Sequence, residues 1–137
     1  MVNLQLTDLQ FRRLLDMVYV GNWILNSTRE DDRIRDYDDM EGLIFSQCLK
    51  NGAERLCRRD RDRVRPSEEY VRGGIHEAIM DYEDAVFYEI LAEELARRDI
   101  SREEPQVQED ECILDERILE YIEEFEENGI ENITLEK

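Results

Sequence analysis

The sequence predicts a mainly α-helical fold: a single acidic domain spanning residues 1–137, built as a bundle of five to six helices with a small two-stranded sheet pairing the N- and C-terminal strands. Three observations predict it. Apolar residues recur at three- and four-residue steps through most of the chain, the period of a helix with one buried face. Pro (2) and Gly (6) are scarce, so there are few breaks and no low-complexity linker. Strict apolar–polar alternation, the strand period, occurs only at the two ends. A chain of 137 residues is long enough to bury one core.

Val2, Leu4 and Leu6 alternate with Asn3 and Gln5, which reads as the first strand. Thr7-Asp8-Leu9-Gln10 then has the spacing of a capping box, in which Thr7 accepts from the Gln10 amide and Gln10 reaches back. A helix follows over about 8–26, with Leu14, Leu15, Val18, Tyr19 and Trp23 as its stripe. Gly21 sits inside it at a cost of about 1 kcal/mol relative to Ala, which points to another element packing closely there. Asn22, between Tyr19 and Trp23, needs a hydrogen-bond partner if it is buried.

Ser27 or Thr28 is placed to cap a second helix over about 29–50, where Glu30, Asp31 and Asp32 favour the positive end of its dipole. Ile34, Tyr37, Glu41, Ile44, Phe45 and Cys48 form its stripe, with Glu41 the one polar member. Asn51-Gly52 supplies a left-handed stop. The segment 58–66, RRDRDRVRP, holds one valine among alternating charges and reads as an exposed loop. Pro66-Ser67-Glu68-Glu69 resembles a helix start that Gly73-Gly74 interrupts.

Helices are expected over about 75–82 and 84–99, the latter with Val86, Phe87, Ile90, Leu91 and Leu95 on one face. Ser101-Arg102-Glu103-Glu104 reads as a second capping box or as a turn into Pro105. The last helix, over about 109–128, carries Cys112, Ile113, Ile118, Tyr121, Ile122 and Phe125, with Gly129 just after it. Ile133 and Leu135 alternate with Asn132 and Thr134 as the closing strand.

Charge constrains partners more than any motif does. The chain carries a formal −18, and the excess is uneven: residues 51–65 are net +3, and residues 103–137 are net −12. Six arginines make the basic island: Arg55, Arg58, Arg59, Arg61, Arg63 and Arg65. Asp60 and Asp62 interleave with them, no aromatic offers a base-stacking face, and the field of the whole chain repels polyanions. Direct nucleic-acid binding is therefore not expected. The island reads instead as a complement to acid, in this copy or another. Glu116, Glu120, Glu123, Glu124 and Glu127, with Asp115 and Glu126, line the outward part of the last helix. They read as solvated surface, as a docking face for a basic protein, or as a row imitating spaced phosphates.

Cys48, Cys57 and Cys112 are an odd count without a CxxC, against a disulfide framework, and Cys48 and Cys112 fall in apolar stripes. The first residues lack a basic-then-apolar leader, and no apolar run nears the roughly 20 residues of a membrane span, so a cytoplasmic location is expected. His76 is the single histidine, with Glu77 and Asp81 near it in sequence. Any histidine-based acid–base chemistry rests on that trio. The spacings of EF-hand, di-iron and phosphate-loop motifs are missing, so no metal and no cofactor is expected.

The stretch at residues 6–34, with Tyr19-Val20-Gly21-Asn22-Trp23 at its centre, resembles a group of small, acidic bacterial proteins that share a Tyr-x-Gly-Asn-Trp core. The likeness extends to residues 87–99 and 125–130. It implies a helical fold and no activity. The leading expectation is a non-enzymatic protein–protein interaction module acting through charge-complementary surfaces, with a basic partner or a second copy as a homodimer. The alternatives are an acidic DNA mimic that inhibits a nucleic-acid-binding protein, and a small enzyme centred on His76.

Overall fold

In a computed structural model of the chain, which describes residues 1–103 and 111–136, helix α1 (Asp8–Asn26) begins at the capping box the sequence contains. The Thr7 hydroxyl accepts from the Gln10 amide at 3.3 Å, and the Thr7 amide donates to the Gln10 side chain at 2.9 Å. Helix α2 (Arg35–Ser46) follows, then two 3-10 turns at Gln47–Leu49 and Glu54–Leu56. Strands β1 (Cys57–Asp60) and β2 (Arg63–Pro66) form an antiparallel hairpin, the one sheet among the described residues. Helix α3 (Glu68–Val71) is one turn, and α4 (Ile75–Glu103) and α5 (Glu111–Asn128) are long. No helix among the described residues is long and apolar enough to cross a membrane.

The chain divides into two compact units, Met1–Ile79 and Met80–Lys137, and α4 begins in the first and continues into the second. The first unit closes over Leu15, Tyr19, Phe45, Cys48, Leu56, Cys57, Tyr70 and Ile79. Phe45 and Tyr70 meet edge to face with ring centres 5.0 Å apart, and Tyr19 meets Tyr70 in the same way at 5.5 Å. The Tyr70 hydroxyl donates to Asp16 at 2.8 Å, and burial, then this bond, raises its pKa. In the second unit α4 and α5 run antiparallel: Tyr88 packs on Phe125, and Glu103 bonds Arg117 at 3.2 Å. Ala92 and Ala96 are fully buried there, and Leu114 and Phe125 are buried as well.

The helical expectation holds, and the sheet does not lie where the alternation at the termini placed it. Residues 1–6 and 131–136 hold no strand. Short end segments gain too little burial to order an isolated pair, and Val2, Leu4 and Leu135 are exposed. The sheet forms instead in the arginine segment expected as a loop. The ladder sets Arg58, Asp60, Arg63 and Arg65 on one face and Val64, with Arg59 opposite it, on the other: Val64 packs against the core, and its carbonyl nears α2. A Cβ on Gly42 would stand 3.2 Å from the Val64 carbonyl oxygen, so this glycine admits the strand. Close approach was expected at Gly21, where nothing lies within 4 Å of an added Cβ. Gly21→Ala is therefore expected to stabilise the first unit by about 1 kcal/mol, the intrinsic helix difference, with urea unfolding as the check.

Three further boundaries differ. Residues 27–34 are not helical, and α2 starts at Arg35 without a side-chain cap from Ser27 or Thr28. The expected break near residue 83 is absent, because nothing in that stretch disfavours helix, and Ser101 lies inside α4. The expected turn at Pro105 and the start of the last helix near 109 lie outside the described residues. Tyr37, Phe87, Ile90, Cys112 and Ile113 were read as stripe residues and are exposed. In α4 the alanines at 92 and 96 occupy the inner line, which turns Phe87 and Ile90 outward.

Candidate functional site

The polar network of the first unit starts from Asn26, which is 1% exposed. Its side-chain oxygen accepts from the Ile34 amide at 2.8 Å, and its NH2 donates to the Ile34 carbonyl at 3.0 Å and to Asn22 at 2.8 Å. Asn26 thus does for the entry to α2 what a cap was expected to do. Asn22 is buried and has the partner that burial requires: it donates to Asp38 at 3.0 Å. Asp38 also receives the Arg33 fork, Nε at 2.6 Å and Nη2 at 2.7 Å. The Arg33 bond, then the Asn22 bond, holds the Asp38 carboxyl below the usual carboxylate range against the pull of burial. Beside it the Glu41 carboxyl is pushed up, chiefly by burial and secondarily by Asp38, while Asn22, Arg65 and Arg33 oppose the rise.

The two carboxyls therefore respond to acid in opposite directions. Glu41, with its raised folded value, favours folding as pH drops through that value, and this contribution is complete below the unfolded Glu range. Asp38, with its lowered folded value, contributes above the unfolded Asp range. That contribution is lost as pH falls through the lowered value.

An open cleft of about 190 Å³ adjoins this network. Tyr19, Asn22 and Trp23 of α1 form one wall, Arg33 and Glu41 another, and Arg58 and Arg65 of the hairpin face them. The ladder places Arg58 directly opposite Arg65. The Nε of Arg65 pairs with Asp60 at 3.0 Å, and Arg58 has no ion-pair partner among the described residues.

Among the described residues His76 bonds a tyrosine and meets a tryptophan, and no carboxylate pairs with it. Its Nδ1 and the Tyr19 hydroxyl share a hydrogen bond at 2.9 Å, and its ring stands edge-on to Trp23 at 4.7 Å. Glu77 and Asp81 are exposed, and Asp81 falls in the second unit. No hydrogen bond or ion pair joins His76 to Glu77 among the described residues. No group of three metal-ligating side chains occurs among the described residues.

The other charged candidates divide. Arg63 pairs with Asp39 at 3.2 Å, and Arg55 with Glu69 at 3.5 Å. Arg59 and Arg61 are exposed, without an ion-pair partner among the described residues. Arg61 heads the two-residue turn with φ at 59°, a region that side chains other than Gly enter at a cost. On α5, Glu116, Glu120, Glu123 and Glu127 are exposed. Glu124 is half-buried and accepts from Asn128 at 3.0 Å and Asn132 at 2.6 Å, so it ties down the helix end.

The sequence reading singled out Asn22 and Glu41 without joining them, and it missed Asn26, Arg33 and Asp38. One signal was present: Glu41 is the single polar residue in an otherwise apolar stripe. No protein-family model, curated protein or solved structure matches the chain.

Proposed function

We propose that this chain is a non-enzymatic protein–protein interaction module that docks through charge-complementary surfaces, with a second copy as its partner. The observation that carries the reading is the exposure of Arg59 and Arg61 at the hairpin turn, without an ion-pair partner among the described residues, in a chain with 36 acidic side chains. Glu116, Glu120, Glu123 and Glu127 supply the complement, since their four-, three- and four-residue steps put them on one face of α5. Exposed Phe87 and Ile90 on α4 and Leu119 on α5 add apolar area of the kind that marks interaction surfaces.

Salt separates this contact from the repulsion between two copies of net charge −18. At about 0.15 M the Debye length is about 8 Å, so distant like charges are screened while contacting pairs persist. At about 0.01 M it is about 30 Å and repulsion dominates, and at 1 M it is about 3 Å and the pairs weaken. Sedimentation velocity is expected to show association greatest near the middle condition and reduced at both extremes. Arg59→Glu with Arg61→Glu is expected to abolish it. A monomer at every salt concentration contradicts the proposal.

A further inference from the structure

The cross-strand pair Arg58–Arg65 is the feature that packing and docking leave unexplained. Residues directly opposite on a hairpin share one face, and like charges there destabilise the ladder. Here the ladder is short, four residues on each strand, and it carries two guanidinium groups at its Arg58–Arg65 rung. Asp60 pairs with Arg65 through its Nε at 3.0 Å, Arg58 has no ion-pair partner among the described residues, and both arginines line the cleft. Both side chains are solvent-accessible, and both line the same recess as Trp23 and Tyr19.

The opposite wall is prearranged. The Asp38 carboxylate fixes Arg33 bidentately, Asn22 fixes Asp38, and the buried Asn26 fixes Asn22 and the chain at Ile34. The Arg33–Asp38 pair is close to neutral as a unit, so it supplies an ordered wall, and the positive charge of the recess comes from Arg58 and Arg65. At about 190 Å³ the cleft lies below the roughly 300–1,000 Å³ typical of drug-sized ligands. It suits a compact group with several acceptor oxygens, the geometry two arginine forks recognise best.

We propose that this cleft is an oxyanion site, in which Arg58 and Arg65 clamp a phosphoryl-type group from the two strands while Trp23 and Tyr19 flank it. The group is either inorganic phosphate or the phosphoryl end of a larger molecule whose adjacent ring stacks on Trp23. Glu41 is the anionic side chain on the wall and opposes the ligand. The site is separate from the docking face, which uses Arg59, Arg61 and α5.

Trp23 is the single tryptophan of the chain and lines the cleft, so its fluorescence reads occupancy directly. The full chain is titrated with sodium phosphate and with phenyl phosphate to roughly 10 mM, at ionic strength held constant with NaCl, a range chosen for a ligand with few atoms. A saturable change is expected for phosphate. Tighter saturation by phenyl phosphate assigns the site to a phosphoryl group carried on a ring, and equal or weaker saturation assigns it to the free anion. Arg58→Ala is expected to weaken binding by about tenfold or more, the scale of one charge-assisted contact. Glu41→Gln is expected to tighten it.

Melting temperature gives a second readout: phosphate should raise it for the natural chain and raise it clearly less for Arg58→Ala. Absence of saturation by either ligand overturns the proposal. So does a response that Arg58→Ala retains in full, or one that the NaCl control reproduces. Arg59→Glu with Arg61→Glu should bind phosphate normally, so loss of self-association and loss of this site are separate results.

Discussion

Phe45→Ala is expected to cost the first unit about 3–5 kcal/mol, the range for emptying a buried phenyl site. Phe45 is fully buried, and its ring stands edge-on to Tyr70, which in turn meets Tyr19. Removing it takes a neighbour from Tyr70, whose hydroxyl is tied to Asp16, so collapse into the void would strain that bond. Domains of this size are stable by only about 5–15 kcal/mol in all, so the variant sits near unfolding at room temperature. Trp23 belongs to the first unit, so urea unfolding followed by its fluorescence reports that unit. A shift in stability below about 1 kcal/mol would mean that Phe45 does not occupy the centre of the core.

Asn26→Leu is expected to be the most damaging change that adds apolar surface. It keeps the branching and number of heavy atoms, adds some bulk, and strands three polar groups: the Ile34 amide, the Ile34 carbonyl and the Asn22 side-chain oxygen. Each buried, unpaired group costs about 1–3 kcal/mol, and partial access to water brings the expected total to roughly 2–4 kcal/mol. Asn26→Asp tests the same network through pH. The carboxylate keeps the acceptor for the Ile34 amide and loses both donated bonds, and it faces the Ile34 carbonyl and the Asn22 oxygen. Its folded pKa must rise, so the variant is weakest at neutral pH and regains stability as pH falls through that raised value. Thermal melting from pH 7 to 5 checks this. A deficit that does not change over that range contradicts the hydrogen-bond assignment.

These two residues show what the sequence made readable. Phe45 stands in a stripe with Ile44 and Cys48 whose period is unambiguous, and α2 carries it into the core as expected. Thr7 with Gln10, and Gly73 with Gly74, mark boundaries by local chemistry, and those boundaries hold. Asn26 is different. It ends α1 and organises a segment eight residues away, and no local pattern announces a side chain that bonds both the amide and the carbonyl of Ile34.

The hairpin was missed for a related reason. Alternation of charge with charge has the same period as alternation of apolar with polar, but only Val64 marks the inner face. The strand therefore depends on α2 and on the glycine at position 42. The cleft inherits both difficulties, since its walls come from α1, the segment before α2, α2 itself and the hairpin. Terminal alternation misled for the opposite reason: a strand pattern of five residues carries little free energy without a covering layer.

The most direct test of docking by charge complementarity is a swap between two variants. One carries Arg59→Glu and Arg61→Glu on the hairpin; the other carries Glu116→Lys, Glu123→Lys and Glu127→Lys on α5. Sedimentation at about 0.15 M salt, where screening confines charge effects to about 8 Å, is expected to find each variant monomeric alone and the equimolar mixture associated. A mixture that stays monomeric, or variants that associate alone as the natural chain does, would contradict it.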